Sequence, residues 1–169
     1  FLYGLNKQSG VKNLDESDPE KFKELTQWII NSGARYVVLD AKIEDDLKDF
    51  EGAEKEEMRQ AMVEDPAAAD ADGINNLITK AYELLGLETF FTTGEDETRA
   101  WTIARHSTAP IAGTAIHTDF KDKFIRAEVV YWNDLLESGS YGVARSKGLV
   151  RTEGKEYIVK DGDVIEFKI

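Results

Sequence analysis

No cysteine occurs in this chain, and histidine occurs only twice. Disulfides and thiol catalysis are therefore excluded, and a structural zinc site, which draws its ligands from these two residue types, is disfavoured. No apolar run approaches the ~20 residues that a membrane-crossing helix needs. No signal-like stretch stands at the N-terminus, and a cytoplasmic location fits these absences. The chain starts on Phe1 rather than Met, directly on an apolar segment, which reads as a fragment of a longer polypeptide. Basic residues are scarce: 21 Lys and Arg stand against 33 Asp and Glu, a net charge of −12.

What is present is unevenly spread. Residues 1–84 hold 10 basic and 19 acidic side chains, whereas residues 85–169 hold 11 and 14. The asymmetry marks a boundary near residue 85 and disfavours non-specific binding of DNA or RNA by the first half, because phosphate contacts need clustered cations. The hydrophobic content of 41% over 169 residues suffices for one ordinary domain or two small ones.

Phe1–Leu5 reads as a short buried strand. Asp18-Pro19 is a helix start, with Asp as N-cap and Pro at the first helical position. Phe22, Leu25, Trp28 and Ile29 then mark one apolar face, and Asn31-Ser32-Gly33 supplies the stop. Tyr36–Leu39, apolar and β-branched, reads as a strand covered on both sides and parallel to the first. Helix-favouring residues fill Ile43–Met62, and Asp65–Gly73 reads as a linker or surface loop. A helix whose apolar face is Ile74, Leu77, Ile78, Ala81, Leu84 and Leu85 ends at Gly86. Beyond it, Thr89–Thr93 and Arg99–Ala104 read as strands around Gly94–Glu97, Pro110–His117 as a short helix and Phe124–Tyr131 as a half-buried strand. Asn133–Gly148 is helical or irregular. Tyr157–Val159 and Val164–Ile169 read as the last two strands, with a tight hairpin turn at Lys160–Asp163.

Few residues carry obvious chemistry. His117, before Thr118-Asp119, could exchange a proton with a carboxylate, but no nucleophile stands beside it and a His-Thr-Asp turn is the simpler reading. His106 lies in a polar loop. Asp161-Gly162-Asp163 lacks the further ligands of a calcium loop. Trp28, Trp101 and Trp132 could stack on bases, yet each sits in an apolar pattern that suits core packing. The acidic stretch 43–57 reads as a solvated helical face. Neither catalytic residues nor metal ligands are assigned.

The opening FLYGLNKQSG is more informative. An Asn amide can pair with a purine edge, and a following Lys can lay its stem over the ring. About 35 residues later the second strand ends in Ala41-Lys42, a small residue plus Lys, in the order and place of the second base-side loop of a P-loop nucleotide site. No G-x-x-x-x-G-K-[ST] occurs in the sequence, so no phosphate cradle accompanies these loops.

LLGLETFFTTGEDETRAWTI (84–103), TAPIAGTAIHTDFKDKFIRAEVV (108–130) and EGKEYIVKDGDVIEF (153–167) strongly resemble the C-terminal TGS domain of the YchF/Obg-like ATPase family. The first 73 residues resemble, more loosely, the last strands and helices of that family's nucleotide-binding domain. The resemblance implies an α/β fragment of a P-loop G-type domain over residues 1–84, followed by an α+β β-grasp TGS domain over residues 85–169. It implies a ribosome-associated parent that binds ATP or GTP and hydrolyses ATP with Mg²⁺ when complete. This chain would supply base-side loops and an interaction domain, be inactive alone, bind no nucleotide tightly and lack the N-terminal half of its own G-type domain. Asn6 matches the base-contacting Asn of the family's Asn-x-x-Glu motif and Lys7 the position against the adenine. Ala41 and Lys42 align with the second loop. Ser9 stands where the family has Glu, and Asp40 where it has a small Ser or Cys, a place from which a carboxylate would crowd or repel a nucleotide. RNA or ribosome contacts are expected from Arg105, Lys121, Lys123, Arg126, Arg145, Lys147 and Arg151. A stand-alone TGS module that binds RNA or a ribosomal partner without any nucleotide role is the alternative.

Overall fold

The first helix starts as its residue types dictate. The Asp18 carboxylate accepts from the Lys21 N–H at 3.1 Å, and Pro19 opens α1 (Pro19–Asn31). Gly33 takes φ +76°, and the Ala34 N–H donates back to the Ile29 carbonyl at 3.2 Å, which closes the helix. The computed structural model describes residues 1–7, 18–62, 73–94 and 97–169. Ser9 and nearly all of the expected loop at 65–73 lie outside these residues. The chain divides into two units, Phe1–Leu84 and Leu85–Ile169.

In the first unit, β1 (Leu2–Asn6) pairs in parallel with β2 (Arg35–Leu39), from Leu2 opposite Arg35 to Asn6 opposite Leu39. The helix-favouring stretch after β2 forms two helices, α2 (Ala41–Asp46) and α3 (Gly52–Met62), rather than one. Among the described residues of this unit, Ile29, Ala34, Val37, Ile43 and Leu47 are the buried apolar ones. Glu44 and Arg59 depart from the expected solvated face. Their side chains are only 11% and 8% exposed and form a two-pronged ion pair, with Arg59 Nη2 3.0 Å from Glu44 Oε2. Glu44 Oε1 also accepts from the Ile74 N–H at 3.1 Å, so one carboxylate ties α2 and α3 to the start of α4 (Ile74–Leu85). Hydrogen bonding from Arg59 holds the Glu44 pKa below its usual range. Trp28 does not enter a core: it is 58% exposed and meets Tyr3 edge-on, ring centroids 6.2 Å apart.

The second unit is a five-stranded mixed sheet in the order β4-β3-β7-β5-β6. Its strands are β3 (Leu87–Thr93), β4 (Thr98–Ala104), β5 (Arg126–Tyr131), β6 (Arg151–Glu153) and β7 (Asp163–Lys168). β7 is parallel to β3, with Phe91 opposite Val164, and every other pairing is antiparallel. Successive side chains take opposite faces, so Phe90, Val129 and Ile165 belong to one buried cluster while Phe91, Val130 and Val164 belong to the other. The short helix α5 (Ala109–Gly113) and the turn helix α6 (Asp119–Asp122) cover the Phe90 face, where Phe120 and Phe124 pack edge-on against Phe167. The expected irregular region holds α7 (Trp132–Ser138) and α8 (Tyr141–Ser146), and Leu135, Tyr141 and Ala144 cover the Phe91 face. Each large side chain buried this way contributes about 1.5–3 kcal/mol.

Three expectations for this unit are corrected. Tyr157–Val159 is not a strand; it makes a single bridge, Ile158 to Thr108, and the edge strand is the polar Arg151–Glu153. Lys160–Asp163 is therefore not a hairpin turn but a junction. Asp161 accepts from the Thr89 N–H, the Gly162 N–H donates to the Thr89 carbonyl, both at 2.8 Å, and the Gly162 carbonyl accepts from the Trp132 N–H. Gly162 has φ +85°, and a Cβ there would stand 2.6 Å from Trp132 Cδ1. Asp163, only 1% exposed, accepts from the Tyr157 hydroxyl at 2.7 Å and the Lys160 N–H at 2.9 Å. Burial and this carboxylate push the Tyr157 pKa up. Trp132 is 41% exposed, again contrary to a core role.

Candidate functional site

The parallel register brings the C-terminal ends of β1 and β2 to one level. That is where open α/β sheets place ligand-binding loops. The two ends are stitched together. Asn6 Oδ1 accepts from the Ala41 N–H at 2.9 Å, and the Lys7 N–H donates to the Leu39 carbonyl at 2.8 Å. Asn6 is exposed and Lys7 half-buried. The side-chain Nδ2 of Asn6 has no partner among the described residues and is the donor left for a ligand.

Asp40 does not face a ligand as a loose charge. It is 8% exposed and is the N-cap of α2, with Oδ1 accepting from the Lys42 N–H at 3.0 Å and the Ile43 N–H at 3.1 Å. The carboxylate expected to crowd or repel a nucleotide is engaged in an ordinary helix cap, readable in Asp-Ala-Lys-Ile directly after a strand. Lys42 lies next to Ala41, but its ammonium reaches along α2 to Asp46 Oδ2 at 2.8 Å, and that hydrogen bond and charge raise its pKa. Of the four base-side candidates, Asn6, Lys7 and Ala41 converge through backbone and amide contacts, while the Lys42 side chain turns away.

The seven cations of the second unit do not form one patch. Lys121 and Lys123 belong to α6 and its end, whose Phe120 packs on the Phe90 face, whereas Arg145 and Lys147 belong to α8 and its end, on the Phe91 face. Four of the seven are neutralised: Arg105 by Glu88, Lys123 by Asp119, Arg145 by Glu128, and Arg151 by Glu153 and Asp163. Lys121, Arg126 and Lys147 make no ion pair among the described residues. His117 Nδ1 accepts from the Asp119 N–H at 3.2 Å, the turn-holding role. Among the described residues, no cluster of three metal-ligating side chains occurs and no helix is long and apolar enough to cross a membrane.

Comparison with known proteins gives a consistent result. The family model YchF-GTPase_C, described as a protein of unknown function (DUF933), matches residues 87–169. The ribosome-binding ATPase YchF of Bacillus subtilis is 42% identical over 154 residues, covering 91% of this chain and 41% of that protein. The protein of the same name from Haemophilus ducreyi is 43% identical over 162 residues, covering 94% of this chain and 43% of its own length. The structure of the Schizosaccharomyces pombe YchF GTPase superposes with a TM-score of 0.75 at 27% identity, over 99% of this chain and 43% of that one. The chain thus spans less than half the length of these relatives. An α/β architecture with one parallel and one mixed sheet, the match across residues 87–169 and the likeness over nearly the whole chain agree: the chain belongs to the YchF/Obg-like ATPase family, corresponding to its C-terminal portion.

Proposed function

We propose that residues 1–84 are the closing part of a P-loop G-type nucleotide-binding domain and residues 85–169 a TGS domain of β-grasp type. The complete protein then associates with ribosomes in the cytoplasm and hydrolyses ATP. The observation that carries the nucleotide reading is the Asn6 Oδ1 to Ala41 N–H bond, which holds the two base-side loops in one wall and leaves Nδ2 turned to whatever binds there. Nδ2 donates to a purine ring nitrogen, and the half-buried Lys7 stem covers the ring face. The names of the relatives, a ribosome-binding ATPase in both bacteria and a GTPase in yeast, support a nucleotide and a ribosomal partner.

Phosphoryl transfer depends on groups that cradle phosphates and hold Mg²⁺. The residues present do not supply such groups, since the sequence has no G-x-x-x-x-G-K-[ST] and no three described carboxylate or imidazole groups converge. The wall therefore positions a base and performs no bond-breaking step, and the rest of the site belongs to the missing N-terminal half of the domain. The exposed apolar side of the first unit, with Phe1, Tyr3 and Trp28, is the surface such a half would cover. Equilibrium binding of a fluorescent ATP analogue to the full-length protein tests this. Asn6→Ala weakens it about tenfold, the value of one lost hydrogen bond with its loop tie. Equal binding by wild type and variant removes Asn6 from the site.

A further inference from the structure

The helical cover of the Phe91 face leaves a trough beside α7. A cavity of about 690 Å³ and a smaller one of about 250 Å³ share Thr93, Leu135, Leu136 and Val164 in their walls. Phe91 and Trp132 line the smaller part. Leu136 is 69% exposed and Trp132 41%. The Trp132 ring is nevertheless held in place, because it packs where a Cβ of Gly162 would stand. A fixed, partly exposed aromatic beside an open leucine suits an interface anchor, since binding then orders few side chains. Contiguous apolar surface of this kind marks a docking site.

The charge around the trough is mainly negative. Among the described residues that line it, Glu166 is the charged one. Glu128 stands directly opposite Glu166 in the β5–β7 ladder, on the face of Val130 and Val164. Like charges in that position repel and cost stability. Arg145 pairs with Glu128 and Lys168 with Glu166. Even so, burial and the charges of Glu128 and Glu166 push up the pKa of Tyr141, a wall residue, against the opposing pull of Arg145. α7 adds Asp134 and Glu137 and no cation. At the Gly94 end, the Gly94 N–H donates to the Glu97 carbonyl at 2.9 Å, which brings one more exposed acidic residue to the rim.

Resting on the proposal that the complete protein associates with ribosomes, we infer that this trough is where it grips a ribosomal protein, through a basic segment that carries an apolar anchor. The anchor seats between Trp132 and Leu136, and flanking Lys or Arg side chains meet Glu166 and the acidic rim. The carboxylates select this occupant over the two nearest rivals. RNA would bring phosphates against them, and a second copy of this chain, at net charge −12, would bring more acid than base. The second unit thus contributes a protein-reading surface on its Phe91 face, distinct from any contact made by its scattered cations.

The test uses the full-length protein and purified ribosomes. With a photo-crosslinking benzoylphenylalanine in place of Leu136, illumination of the sedimented complex yields an adduct to a ribosomal protein. Leu136→Ala weakens co-sedimentation by about fivefold or more, as expected of an anchor contact. Glu166→Gln weakens it by about threefold at low salt, and the difference shrinks as salt is added. Because Glu166→Gln also relieves the repulsion from Glu128, its unfolding midpoint in urea does not fall, which separates lost binding from lost fold. Tighter sedimentation of Glu166→Gln, or an adduct to ribosomal RNA, assigns the trough to RNA and overturns the inference. An adduct to a second copy or within the chain, no adduct at all, or unchanged sedimentation of folded Leu136→Ala also overturns it. In each of these cases ribosome association itself stands. Wild type that fails to sediment with ribosomes refutes that association, and the inference with it.

Discussion

The two units solve the problem of a sheet in opposite ways. Residues 85–169 cover both faces of a five-stranded sheet, with Phe90 and Val129 fully buried on one side and Val130 on the other. The described residues of 1–84 hold two parallel strands, an arrangement that is marginal without further strands or helices, and they leave Phe1 91%, Trp28 58% and Ile30 54% exposed. What holds the first unit is more polar: an amide between loops, a capped helix and a nearly buried ion pair. Stability by area and stability by directed contacts respond differently to mutation and to acid, and that difference can be measured.

The largest effect is expected in the second unit. Phe90→Ala removes a fully buried ring and costs about 3–5 kcal/mol, read as lost amide exchange protection in β3, β5 and β7. Protection lost equally in β1 and β2 would erase the contrast. Next, Arg59→Ala leaves the Glu44 carboxylate nearly buried without its main partner, at a cost of about 3 kcal/mol. The sign with pH follows from the lowered Glu44 pKa. A depressed folded pKa means that the unfolded chain binds the proton first, so this stabilisation is complete above the ordinary glutamate range and is lost as pH falls through the folded value. Circular dichroism during acid titration should show wild type losing α3 later, at lower pH, than Arg59→Ala; coincident curves would deny the pair its role. The smallest effect is Trp28→Ser, within about 0.5 kcal/mol in this chain because the ring is mostly exposed. In the full-length protein the same change should cost more, and equal costs in urea unfolding would mean that nothing covers this face there.

The sequence carried α1 almost residue for residue, because its cap, its Pro and its Gly stop are local signals. It also carried β1, β2 and β7, each close to its observed bounds. It misjudged the edge: Arg-Thr-Glu at 151–153 is too polar to read as a strand, and its pairing with β5 is set by tertiary contacts. Tyr157–Val159 has the β-branched pattern of a strand, but its neighbours in space are Ser107–Ala109 rather than a sheet edge. In the candidate site, Asn6 and Ala41 were legible as a spacing, but not the bond between them. Glu44 and Arg59 were hidden because residues 15 positions apart and on separate helices share no local pattern. The exposure of Trp28 and Trp132 was equally hidden, since a helical apolar stripe does not say what covers it.

The central position of β7 has a kinetic consequence. β7 inserts between β3 and β5, yet Asp163–Lys168 is the last strand in the order of synthesis. While the chain is being made, the β3–β4 hairpin and the β5 segment each present an unsatisfied edge until the final strand arrives. Contacts such as Thr89 to Asp161 span 72 positions, so the folding nucleus of this unit must complete a long loop closure before it gains its core. The nascent unit is thus open to edge-to-edge misassembly until its last strand is in place.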